Sequence, residues 1–206
     1  AGLAVARALA LRGAAVTVLE QADAIREVGA GLQISPNGAA VLRGLGLQAK
    51  LDAASTRADA VQLIDGPTGE GVTRLDLARL RPGHGYHFLH RADLIDLLLN
   101  GAKAAGVTLR LLSRAAGIDL SGPAPAVVLE GGERLETPLL IGADGLHSKV
   151  RAALNGPEQP FFTRQVAWRA VIPCEPGAAP VAEVHMGPGR HLVSYPLRNG
   201  TLRNIV

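Results

Sequence analysis

The chain has 206 residues, 48% of them hydrophobic and only 3% aromatic, with a formal net charge of +3. That length allows one large domain, or a domain and a half, with a sizeable core. The small charge and scattered arginines leave no nucleic-acid footprint, no apolar run reaches membrane-spanning length, and one cysteine, Cys174, cannot form an internal disulfide and fits a reducing, cytoplasmic setting.

The chain opens in a helical pattern. Leu3, Ala6, Leu9 and Ala10 fall on one face, and Gly13 is placed to stop the helix. The opening reads as a helix interior, not a cleavable leader. Residues 15–19 (AVTVL) predict a buried strand ending in Glu20, eighteen residues after Gly2. A dinucleotide fold opens its first helix with G-x-G-x-x-G and places an acid about twenty residues later. The glycine allows close packing, and the acid hydrogen-bonds a ribose hydroxyl. Gly2 fits the last glycine of that pattern. The strand and glycines that should precede it are absent from the sequence, which predicts a chain beginning inside its domain. An ordinary helix–strand unit with an exposed Glu20 is the competing reading.

Residues 25–47 carry Gly29-Ala30-Gly31 and then Ser35-Pro36-Asn37. Ser35 as N-cap with Pro36 at the first helical position predicts a helix start. Ala40, Val41 and Leu45 are its expected apolar face, and Gly46 its end. Gly29 and Gly31 let a backbone pass close to something flat or crowded, or else form a flexible connection. Weak strand patterns at 60–64 and 72–75 follow, with an exposed loop expected at 79–85. His84, His87 and His90 cluster, but no Cys or acid stands beside them at ligand spacing, so no metal is expected. Residues 90–106 predict an amphipathic helix with Leu94, Leu97, Leu98 and Ala102 inward. Arg91 stands at its N-terminus, where the helix dipole disfavours a cation, so an anionic or hydroxyl-rich partner is expected. Asp93 is the local alternative.

Residues 107–112 predict a strand, and 116–120, 126–130 and 134–138 a small antiparallel set. The stretch LLIGADGLHSKVR, residues 139–151, is the one around which the rest is organised. Residues 139–141 predict a strand buried on both faces, Asp144-Gly145 a turn, and 147–154 a helix. Asp144 would then lie past the C-terminal edge of a parallel strand, where open α/β sheets bind ligands. Capping of the following helix explains it equally well. Short strands are expected at 166–172, 181–186, 191–195 and 201–206, forming a sheet suited to a pocket floor. His191, Val193 and Tyr195 share one face of theirs.

Glu20, the string REVGAGLQISPN at 26–37, His90-Arg91-Ala92-Asp93-Leu94 and Gly142-Ala143-Asp144-Gly145 with Ser148, Val150 and Arg151 occur in one order. Together they resemble the FAD-dependent aromatic-ring monooxygenases, single-component flavoprotein hydroxylases of the salicylate hydroxylase group. The strings at Ala167-Trp168-Arg169 and Tyr195-Pro196-Leu197 are also similar. The resemblance implies an α/β chain with a glutathione-reductase-like Rossmann FAD-binding fold and an interleaved β-sheet substrate domain. Residues 1–52 and 87–155 would bind FAD, and 53–86 and 156–206 would belong to the substrate domain. It implies FAD contacts at Gly2, Glu20, Gly31, Gln33, Arg91 and Asp144, with Arg26 near the groove. A second cofactor motif of the family, a later Gly-Asp string, lies beyond this sequence.

By the same resemblance, NAD(P)H reduces FAD and one atom of O2 enters an aromatic ring. Such a ring reacts faster as phenolate, so its pocket needs a base or a cation. Arg169 offers the cation, His191 the base, and Tyr195 a relay or a hydrogen bond to the ring oxygen. The partners expected are a small aromatic substrate and O2, with a homodimer as candidate assembly and no nucleic acid or membrane. Two alternatives stay open: an FAD-dependent oxidase, reductase or halogenase of the same fold, and a non-catalytic fragment.

Overall fold

The computed structural model describes residues 1–25, 29–80, 83–174 and 177–206. Arg26 therefore lies outside the described residues. The chain groups into two compact units, one of residues 1–25 and 98–165, the other of 26–97 and 166–206. These are groupings by contact, and the division expected at 52, 86 and 155 is a separate one drawn by function.

In the first unit the helix Gly2–Ala10 buries Ala6 against Ala102 and Val107, with Leu3, Ala10, Val16 and Val18 around them. This is the expected inward face, and the Arg7 guanidinium ties the helix to the Gly101 carbonyl. Gly13 takes φ +88, open to glycine at little cost, and its N–H closes on the Ala10 carbonyl at 2.9 Å. Thr17–Leu19 pairs in parallel with Thr108–Arg110. Both expected strands form, shortened at their ends. Ala115–Asp119, Ala126–Leu129 and Arg134–Glu136 make the antiparallel set, with Ala126–Leu129 central.

The organising run is the first correction. Residues 139–141 form no strand, and Leu139 and Ile141 are exposed. A strand needs a ladder neighbour, and the parallel sheet of this unit contains only Thr17–Leu19 and Thr108–Arg110 among the described residues. The apolar pattern is present without the pairing that would make it a buried strand. The helix behind it forms, over Lys149–Asn155.

In the second unit His87–His90 is the centre of a three-stranded sheet, between Gly31–Ile34 and Thr56–Arg57. A six-stranded sheet runs in the order Ala170–Pro173, Leu202–Ile205, Arg190–Leu197, Val181–Gly187, Ala60–Asp65, Gly71–Asp76. Only Val181–Gly187 and Ala60–Asp65 pair in parallel. Phe88, Tyr195, Leu197, Ala58 and Ala182 form the core of the unit.

Three expectations are corrected here. The helix Pro36–Gly44 buries Ala39 and Leu42, followed by Leu45 beyond its end, while Ala40 and Val41 face solvent. Leu45 was expected inward and is, whereas Ala40 and Val41 give way to Ala39 and Leu42, which lie three residues apart on the buried face. Of the loop expected at 79–85, Arg79 and Leu80 belong to a short helix, Leu77–Leu80, and Arg81 and Pro82 lie outside the described residues. The strand expected from 166 begins at Ala170, because its neighbour Leu202–Ile205 offers partners only for Ala170–Pro173. Trp168 is left 85% exposed, so it does not pack on the sheet.

Candidate functional site

The first unit gathers Gly2, Glu20 and Asp144. Gly2 begins its helix, and a Cβ placed there would stand 3.4 Å from the Cβ of Ala143. The helix start therefore leans on the Gly142–Gly145 loop, although the two are 141 positions apart. That loop packs on the helix that follows it, where a Cβ at Gly142 would meet Val150 Cβ at 2.6 Å. Glu20 follows the C-terminal end of Thr17–Leu19, and its Oε1 accepts the Ala22 N–H at 2.9 Å.

Asp144 is exposed, and its carboxylate is committed within the chain. It accepts the Ser148 hydroxyl at 2.6 Å, the Lys149 N–H at 2.7 Å and the Val150 N–H at 3.3 Å. Partial desolvation pushes its pKa up, but those hydrogen bonds outweigh it and hold the carboxyl below its ordinary value. Capping is thus the role the geometry displays.

The second unit gathers Gly31, Gln33 and Arg91. The crowding expected around the two glycines is real, and protein atoms supply it. A Cβ at Gly29 would fall 2.3 Å from His90 Nε2, and one at Gly31 2.7 Å from the Asn204 side chain. Gln33 Oε1 accepts the Tyr86 hydroxyl at 2.6 Å. Arg91 is exposed, its N–H held by the Ala30 carbonyl at 3.0 Å. Asp93, the local alternative for Arg91, accepts a 2.8 Å and a 3.1 Å bond from Arg198.

The three substrate-side residues lie in the same unit but in unlike surroundings. Tyr195 is 3% exposed and stacks on Phe88 with ring centroids 5.0 Å apart. Burial pushes its hydroxyl up to about 12, although the Arg169 guanidinium and the Asn204 amide pull the other way. At neutral pH it is a phenol, able to donate a hydrogen bond but not to take a proton. Arg169 is exposed just before its strand, close enough to Tyr195 to act on it electrostatically. His191 is exposed beside the Gly187–Arg190 turn, opposite Met186. Four residues of extended chain, about 13 Å, separate it from Tyr195.

Sequence reasoning missed Asn204, Tyr86 and Ser55, and weighed His87 only as a metal ligand, not as the buried partner of Ser55. The signal for Asn204 was an amide alternating with the apolar Leu202 and Val206 on one face of its strand, since a buried polar group needs a partner. Among the described residues no group of His, Cys, Asp and Glu could hold a metal, and no helix is long and apolar enough to cross a membrane.

Comparison with known proteins places this geometry. The sequence profile of the FAD binding domain family matches residues 1–199. The 3-hydroxybenzoate 6-hydroxylase of Polaromonas naphthalenivorans (strain CJ2) is 36% identical over 213 residues, covering 100% of this chain and 53% of its own length. The 3-amino-4-hydroxybenzoate 2-monooxygenase of Streptomyces cremeus is 35% identical over 97% of this chain and 52% of its own. The chain thus spans about half the length of the curated relatives it matches. A crystal structure of a variant 2-methyl-3-hydroxypyridine-5-carboxylic acid oxygenase shares its fold with a TM-score of 0.83 at 26% identity, over 99% of this chain and 55% of that one. CtdE in complex with FAD and a substrate gives a TM-score of 0.86 at 21% identity, over 99% of this chain and 54% of that one, which speaks for the fold alone. The architecture is the α/β FAD-binding fold, and the chain belongs to the FAD binding domain family, among whose members its curated relatives are aromatic hydroxylases.

Proposed function

We propose that this chain is the FAD-binding part, and a portion of the substrate part, of an NAD(P)H-dependent flavoprotein monooxygenase. Its substrate would be a phenolic or carboxylated aromatic ring that receives one oxygen atom of O2. The observation that carries the reading is the meeting of Gly2 with the Ala143 loop, in a chain 36% identical to a hydroxybenzoate hydroxylase. Residues 1–52 and 87–155 are assigned to FAD, and 53–86 and 156–206 to the substrate side.

The residues present fit the cofactor in kind. A glycine at the Gly2 helix start lets a pyrophosphate approach N–H groups that have no partner within the helix. Glu20 uses Oε1 for Ala22 and leaves Oε2 for a ribose hydroxyl. Asp144 spends its carboxylate on its own helix, so its contribution is to hold the Ala143–Gly145 backbone in place. Arg91, exposed at a helix start, suits an anionic or hydroxyl-rich partner. The edge strand Gly31–Ile34 offers Gly31, whose backbone Asn204 fixes, and Gln33, whose side chain Tyr86 fixes. When bound, FAD supplies the exchange of electrons with NAD(P)H and the activation of O2. The chain's task is placement and electrostatics, with Arg169 to favour an anionic ring or bind a carboxylate, Tyr195 to donate a hydrogen bond, and His191 to accept a proton. A cytoplasmic location and a homodimer are parts of the same proposal.

The test is the purified holoenzyme with a panel of hydroxybenzoates and aminohydroxybenzoates. Substrate-stimulated NAD(P)H consumption, matched by a hydroxylated product, is expected. NAD(P)H consumption that yields only hydrogen peroxide with every ring tested would overturn the monooxygenase reading.

A further inference from the structure

Asn204 is fully buried in the strand Leu202–Ile205, in register with Tyr195 on one side and Val171 on the other. Its Oδ1 accepts the Gly31 N–H at 2.6 Å, across 173 positions of sequence. The residue cannot be flipped, since an N–H needs an acceptor opposite it. That orientation leaves Nδ2 to act on the Tyr195 hydroxyl of the neighbouring strand, whose pKa the amide lowers against burial, although Nδ2 meets no acceptor at full hydrogen-bond geometry. The defined hydrogen bond of the amide is the one Oδ1 accepts, and Gly31 is the partner it fixes. Gly31 answers it in shape. Its backbone is not in the left-handed region, so conformation does not demand glycine. Space does: a Cβ there would stand 2.7 Å from Asn204 Cβ and Cγ and 2.9 Å from Oδ1.

We propose that Asn204 is a positioning residue, a clamp that holds the Gly31 backbone against the strand pair carrying Tyr195 and so sets the strand edge presented to FAD. This rests on the FAD reading above. The clamp touches neither substrate nor cofactor. It acts through Gly31, whose N–H it occupies, and through the spacing between the Gly31–Ile34 strand and the six-stranded sheet.

The experiment compares Asn204→Ala, Asn204→Asp and Gly31→Ala with the wild-type holoenzyme, at a temperature well below the lowest melting point. Two quantities are read: amide hydrogen exchange at Gly31 and the FAD dissociation constant from flavin fluorescence. Asn204→Ala is expected to speed exchange at Gly31 and to weaken FAD by roughly tenfold, the equivalent of one lost hydrogen bond. Asn204→Asp keeps an acceptor and should restore the slow exchange. Gly31→Ala should weaken FAD as Asn204→Ala does, because the new methyl displaces the clamp. A folded Asn204→Ala protein with unchanged exchange at Gly31 overturns the clamp. Faster exchange with an unchanged FAD constant overturns its role in positioning. Wild-type protein that does not take up FAD removes the functional reading and the positioning role with it, and the exchange data alone then decide whether the clamp exists.

Discussion

The Ser148 hydroxyl donates to the Asp144 carboxylate at 2.6 Å, and the same Ser148 oxygen accepts the Arg151 N–H at 2.9 Å. The two side chains between them satisfy N–H groups of the first turn of Lys149–Asn155, which has no partner of its own there. Asp144→Ala should therefore fray that helix and cost about 1 kcal/mol, the usual worth of a cap. Exchange of the Lys149 and Val150 amides in the FAD-free protein reads it directly. Because the folded carboxyl sits below its ordinary 3.8, the contribution is present above that pH and is lost as pH falls through the lowered value. Unchanged exchange at both amides would show that Asp144 does not hold the helix.

Glu20 is the counterpart on the cofactor side. Glu20→Ala removes the expected ribose contact, a charge-assisted bond of about 1.5–3 kcal/mol, and should weaken FAD by roughly ten- to a hundredfold. Glu20→Gln keeps an acceptor for the Ala22 N–H, so it separates turn geometry from ribose binding. Titration of the apoprotein with FAD measures both. An unaltered constant in the alanine variant would remove Glu20 from the site.

Much of this arrangement is legible before any coordinates. The helix Gly2–Ala10, the Thr17–Leu19 and Thr108–Arg110 strands and the antiparallel set from Ala115 to Glu136 follow from local period and from glycine stops. What local pattern cannot carry is partnership. Residues 139–141 look like a strand, but strand formation depends on a neighbour elsewhere in the chain. The face of Pro36–Gly44 turns on a phase that Ala39, Ala40 and Val41 leave open, since all three are apolar. The Gly31 requirement comes from Asn204, and no spacing rule links positions so far apart. Asp144 reads equally as cap and as ligand residue until its hydrogen bonds are seen.

His87 carries a third prediction. It is 2% exposed, and its Nδ1 lies 2.8 Å from Ser55 Oγ. Ser55 gives its own proton to the Leu51 carbonyl at 2.7 Å, so His87 Nδ1 is the donor and Nε2 is left as a buried lone pair without a partner. Burial lowers the pKa of the ring first, nearby Arg57 adds to that, and Asp52 opposes it. The folded pKa lies below the unfolded 6.5, so this stability is whole above pH 6.5 and is lost as pH falls through the folded value. Thermal melts across that range should show an acid-side decline that His87→Gln flattens. Gly85→Ala, whose Cβ would fall 2.1 Å from Nε2, should destabilise by about 1–3 kcal/mol at all pH values, as overpacking does. Parallel melting curves for wild type and His87→Gln below pH 6.5 would assign the acid sensitivity elsewhere.

The substrate side gives the last prediction, and Tyr195 decides how it is read. A hydroxyl raised to about 12 favours the folded state below pH 10, and that contribution is lost as pH rises towards 12. Ultraviolet titration should therefore show Tyr195 ionising late, with the late step missing in Tyr195→Phe. A residue held as a phenol cannot be the base that ionises a phenolic ring, so any effect of Tyr195→Phe on turnover must come through a donated hydrogen bond. It should lower the yield of hydroxylated product without moving the acid limb of the pH–rate profile. His191→Asn should move that limb if His191 takes the proton, and leave it in place if exposure beside the Gly187–Arg190 turn keeps it out of the pocket. Arg169→Met should raise KM for carboxylated rings more than for uncharged phenols, because a guanidinium fork recognises a carboxylate. Each variant is assayed for NAD(P)H consumption, product and hydrogen peroxide together. A residue whose loss keeps NAD(P)H consumption but diverts oxygen to peroxide belongs to the oxygen-transfer pocket. If all three variants match the wild type in every channel, the pocket is built from other residues.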